Sequence, residues 1–103
     1  MVRLMVLYPR LADPVEFERH YFTVHVPIVR RLPGLRRYNV GRRPSRVRGP
    51  EPYQFVAELD WEDLDSMERD FASEWGRRAA RDVEELERFA PGIQSMVFEL
   101  EEA

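Results

Sequence analysis

Apolar residues follow two different rhythms along this chain, and the switches between them mark its elements. Residues 2–8 are apolar at nearly every position (Val2, Leu4, Met5, Val6, Leu7), the pattern of a strand buried on both faces. Pro9 to Ala12 read as a turn. Asp13, Pro14 and Glu16 then open a helix, with Asp at the N-cap, Pro at the first helical position and Glu placed for a capping box. That helix is expected to run to about Leu32, with Phe17, Tyr21, Val24, Ile28 and Leu32 on one face at helical spacing. Pro33 and Gly34 end it. Residues 35–42 form a second strand and the Pro-, Gly- and Arg-rich residues 43–52 a loop. In residues 53–61 the rhythm is two: Tyr53, Phe55, Ala57, Leu59 and Trp61 point one way, and Gln54, Val56, Glu58 and Asp60 the other. A short helix over 62–72 and a longer one from Glu74 to about Phe89, capped by Ser73, precede Pro91-Gly92. A last strand spans 93–101.

The order βαββαβ predicts an α+β, ferredoxin-like fold, a four-stranded antiparallel sheet with helices on one face. The 103 residues are expected to make one domain, 1–103. Helices cover only one side of such a sheet, yet the first and last strands are apolar on both sides. An exposed apolar face of that size needs a cover, and the simplest cover is a second copy packed sheet to sheet, a homodimer with two-fold symmetry.

Composition narrows the chemistry. There is no cysteine and no lysine, which excludes disulfides, thiolate ligands and lysine Schiff bases. No segment approaches the roughly 20 apolar residues of a membrane span, and the N-terminus reads as a strand with no signal-peptide pattern, so no membrane partner and a cytoplasmic location are expected. Net charge is −3, but residues 1–50 carry 11 Arg against 3 acids and residues 51–103 carry 5 Arg against 16 acids. Basic and acidic halves facing each other account for this better than nucleic acid does, because the chain is acidic overall and carries no nucleic-acid motif.

The candidate for chemistry is His25. Proline lacks the N–H that a helix interior needs, so Pro27 implies an irregular helix there, and an imidazole two residues away titrates near neutrality. At 100° per residue His25 lies on the edge of the apolar face beside Tyr21, and His20 on the opposite edge, nearer solvent. The two rings then point about 140° apart, which argues against a shared metal. Tyr8 and Tyr38 stand at strand ends where their phenols can orient a polar group, Arg10 follows the first strand where it can hold an anionic oxygen, and Asp82 can orient His25 if the helices are adjacent. Tyr21 and Phe55 are core aromatics that can also line a pocket.

The segment from Phe17 to Tyr38, with His25-x-Pro27, Leu32-Pro33-Gly34-Leu35 and Tyr38, resembles the EthD family of the dimeric α/β-barrel superfamily. Asp82 and Phe89 are compatible with that family's late helix. The resemblance implies a dimeric α/β barrel with a cleft between sheet and helices. It implies no single activity, because superfamily relatives include cofactor-independent monooxygenases, muconolactone-type isomerases and haem-degrading enzymes. The expectation is a binder of a small apolar organic molecule, without a cofactor or metal. Catalytic candidates are His25, Tyr38 and Asp82, and ligand-binding candidates Tyr8, Arg10, Tyr21 and Phe55. The alternative is a non-catalytic dimeric accessory protein.

Overall fold

The computed structural model covers residues 1–103 and contains the strands β1 (Val2–Tyr8), β2 (Arg37–Arg42), β3 (Phe55–Trp61) and β4 (Gln94–Glu99). The helices are α1 (Pro14–His20), α2 (Val26–Val29), α3 (Leu64–Ala72) and α4 (Glu74–Glu87), with a π-helical segment, Tyr21–His25, joining α1 to α2. The sheet order is β2-β3-β1-β4 and every pairing is antiparallel. This is the ferredoxin-like arrangement.

Register sorts the side chains. Leu4 lies opposite Leu59 and Val6 opposite Ala57, and these turn toward the helices. Tyr38 and Val40 join them from β2, opposite Leu59 and Ala57. Trp61, Tyr8, Tyr21, Phe17 and Phe55 are the largest fully buried side chains. Tyr8, Phe17, Tyr21 and Phe55 meet mostly edge to face, with centroids between 4.9 and 6.0 Å apart, the geometry aromatic quadrupoles prefer.

Helix starts follow the sequence. Asp13 Oδ1 accepts from the Glu16 N–H (3.2 Å), Asp63 from Ser66 and Ser73 from Gly76. The expected capping box is only half formed, because the Glu16 carboxylate turns outward to Arg19. The Leu32–Leu35 turn is held from below: Gly34 N–H and Trp61 Nε1–H both donate to the buried Asp70 carboxylate. A side chain at Gly34 would sit 3.0 Å from Asp70 Oδ2, which accounts for the glycine. Gly76 is tighter still, with a Cβ there falling 2.1 Å from the Asp70 carbonyl oxygen, so α3 and α4 abut only because that side chain is absent.

The other face of the sheet carries no helix. Met5 pairs with Met96, Arg3 with Phe98, and Leu7 lies between Val56 and Gln94. Met96 is 53% exposed and Phe98 36% exposed. Arg3 crosses this face in a two-pronged bond to Asp60 (2.7 and 3.0 Å) and an ion pair with Glu58.

Candidate functional site

Spacing alone separates His20 from His25; the backbone brings them together. In the π segment the Val26 N–H donates to the Tyr21 carbonyl, five residues back instead of four. That widened turn brings positions five apart onto one side, so the expected 140° separation is not what forms. His20 Nε2 lies 2.8 Å from Asp82 Oδ1 and His25 Nδ1 2.8 Å from Asp82 Oδ2. The irregularity implied by Pro27 is therefore real, but it lies one turn upstream of the proline. Thr23 Oγ1–H donates to the Arg19 carbonyl (2.6 Å) within it.

Asp82 is 8% exposed and His25 6%. Burial, the largest single influence on Asp82, acts to raise its pKa. The hydrogen bonds and charges of His25 and His20 outweigh it, and the carboxyl is held below its ordinary value. An ionised carboxylate has no proton to give, so both rings donate to it. In the neutral imidazole this fixes the His25 proton on Nδ1 and leaves Nε2 as a free lone pair.

His25 lines a small cavity of about 80 Å³ between sheet and helices. Leu4, Val6, Ala57 and Leu59 form its floor, and Val29, Leu32, Ala79 and Val83 its roof. Small side chains at positions 57 and 79 leave the space open. Its polar edge consists of His25 with Tyr8, Tyr21 and Tyr38, and neither an arginine nor a carboxylate lines it. Tyr21 and Tyr38 share one hydrogen bond between their hydroxyls (2.5 Å), and the Tyr21 ring lies 5.2 Å from the imidazole. Burial raises the pKa of all three phenols; Tyr38 is pushed up to about 12, with the Tyr21 hydrogen bond and the Arg30 charge acting against burial. The phenols are neutral at physiological pH and serve as O–H donors. Arg30 sits over the Tyr38 ring at 5.7 Å, outside the cavity.

Of the residues singled out from sequence, Tyr8, Tyr21, His25, Tyr38 and Asp82 converge here. Phe55 packs behind them, its ring 4.9 Å from Tyr21, and is not in the cavity wall. Arg10 is exposed and borders a separate surface hollow with Pro9 and Gln94. His20 was missed as a partner of this group because an α-helical wheel puts it on the wrong side.

An EthD domain model matches residues 11–90. The chain belongs to the EthD family. An uncharacterised 11.0 kDa protein encoded in the thcB–thcC intergenic region of Rhodococcus erythropolis is 35% identical over 102 residues, spanning 99% of this chain and 96% of that one. The crystal structure of an EthD family protein from Bacillus halodurans superposes with a TM-score of 0.85 at 28% identity, covering 98% and 99% of the two chains. SnoaB, a cofactor-independent oxygenase from Streptomyces nogalater, shares the fold at a TM-score of 0.70 and 20% identity, covering 99% of this EthD chain and 94% of its own.

Proposed function

We propose that this EthD protein binds a small, uncharged, largely apolar organic molecule in the cavity between sheet and helices, and that His25 exchanges a proton with it. The observation that carries this is the pairing of an apolar cavity with a single oriented base. Asp82 takes the Nδ1 side of His25, so the nitrogen left for a ligand is Nε2, and what Nε2 accepts is a proton from an acidic O–H or an activated C–H. The absence of any cation in the wall disfavours a carboxylate ligand, whose charge would be buried unpaired. The phenol pair of Tyr21 and Tyr38 supplies an O–H for the oxygen on which negative charge develops. Asp82 acts as a positioning residue.

With the proton on Nε2, the electron pair remains on the ligand as an enolate or phenolate. Return of the proton at another atom is an isomerisation. Transfer of those electrons to dioxygen, as the co-reactant, is oxygenase-type chemistry, and the fold shared with a cofactor-independent oxygenase supports including it. A non-catalytic accessory role would favour a histidine tied to backbone; here its partner is a carboxylate.

Three rings of similar size test the binding. Phenol is neutral with one acidic O–H, toluene lacks the O–H, and benzoate is charged. Amide NMR titrations of the full chain should show phenol perturbing Val29, Leu59 and Ala79, with toluene weaker and benzoate without effect. His25→Ala should reduce phenol affinity to that of toluene. If neither phenol nor toluene perturbs these residues at millimolar concentration, the cavity is not a ligand site.

We also propose that two copies join through the helix-free sheet face, where Met5, Met96 and Phe98 form an apolar patch.

A further inference from the structure

We propose that His20 is a positioning residue for His25: each ring holds one oxygen of the same carboxylate, so one negative charge is divided between two imidazoles and their protonations are coupled. The chain departs from α-helical geometry over five residues, Tyr21–His25, and the result is that both rings reach Asp82 at 2.8 Å. Orienting His25 alone needs one of these bonds. The second ring changes the charge balance.

One carboxylate faces two bases. Whichever ring is protonated first forms an ion pair with Asp82. The other then gains its proton with the carboxylate already engaged and a like charge beside it, so the second protonation is weakened. Glu87, from the end of α4, lies close enough to act on Tyr8 but bonds to neither ring. Tyr8 from β1, Tyr38 from β2 and Tyr21 from the same helical run face His25 as neutral phenols, Asp82 is the one charged group hydrogen-bonded to either ring, and the nearest aromatic neighbour of His20 is Phe89 at 6.2 Å. Arg30 touches the face of Tyr38 and neither histidine. The rings are not equivalent: the His20 side chain is 17% exposed and that of His25 8%, so His20 is the member open to water and His25 the member facing the cavity. The consequence is that, once the more exposed His20 carries its proton, a second proton on His25 is opposed.

Imidazole NMR titrations of the full chain test the coupling with no ligand added. His20→Gln keeps an N–H donor at similar reach but cannot ionise; His20→Phe removes donor and charge together. In the wild type the His25 curve should be broadened over two steps. In His20→Gln it should become a single step with His25 binding its proton more tightly, by roughly threefold to tenfold, and His20→Phe should move it further in the same direction. The reciprocal variant, His25→Gln, must likewise reduce the His20 curve to a single step, and one coupling free energy must account for both sets of curves. A His25 curve unchanged in midpoint and shape in His20→Gln, or shifted the opposite way, overturns the proposal and leaves His20 as a strut. If His20→Phe does not fold, the two glutamine variants decide. The bearing on proton transfer rests on His25 being the acid/base group. The two ideas fail separately, because phenol binding and ligand-free titration are independent measurements.

Discussion

At the residue scale Asp82 holds the site together. Its carboxylate satisfies two half-buried or buried rings at once, so Asp82→Ala leaves both without an acceptor. The expected loss is about 3 kcal/mol or more of unfolding free energy, read from urea melts. The sign with pH follows from the direction of the shift. Asp82 is depressed in the folded state, so its contribution is complete above the ordinary carboxylate range and is lost as pH falls through the depressed value. The stability gap between wild type and Asp82→Asn should therefore narrow below about pH 4. A gap that fails to narrow over that acid range would contradict an ionised Asp82. His25→Ala removes one ring but leaves Asp82 with His20, and is expected to cost less stability than Asp82→Ala while removing the preference for phenol over toluene.

At the scale of elements, the two helix caps at Asp13 and Ser73 and the rhythm of Phe55, Ala57, Leu59 and Trp61 were legible in the sequence because each depends on local chemistry alone. Strand β2 begins at Arg37, two residues later than its composition suggests. Residues 35 and 36 are used by the turn, with Leu35 N–H reaching Leu32 and Arg36 N–H reaching Asp60. The π segment was not legible as such. Pro27 announced an irregularity, but nothing local showed that the turn absorbing it is the one whose histidines meet Asp82 on α4, a contact 57 residues from His25. Gly34 reads in the sequence as the end of the helix, whereas in the fold both Gly34 and Gly76 are set by close approach to Asp70. Gly76→Ala should destabilise the fold by roughly 2 kcal/mol or more, because backbone rather than a flexible side chain occupies the space. A thermal melt within a degree of wild type would show that α3 and α4 can separate at little cost.

For the whole molecule, the asymmetry of charge resolves partly inside one copy. Arg3 pairs with Glu58 and Asp60, and Arg36 with Glu62, across the basic and acidic halves. Arg30 and Arg31 lie over Tyr38 and Trp75. The sheet face opposite the helices leaves Met96 and Phe98 exposed. Phe98→Glu on that face is expected to shift sedimentation equilibrium from dimer to monomer with the circular dichroism of the fold retained. A wild-type chain that sediments as a monomer at tens of micromolar would contradict dimerisation through this face.

His25 offers a free Nε2 to the cavity only if Asp82 holds its Nδ1–H. Nitrogen-15 NMR of the His25 ring at neutral pH, with and without phenol, measures this directly. The expected result is a protonated Nδ1 and an unprotonated Nε2 whose resonance moves when phenol is added. A ring protonated on Nε2, or an Nε2 resonance indifferent to phenol, would contradict it.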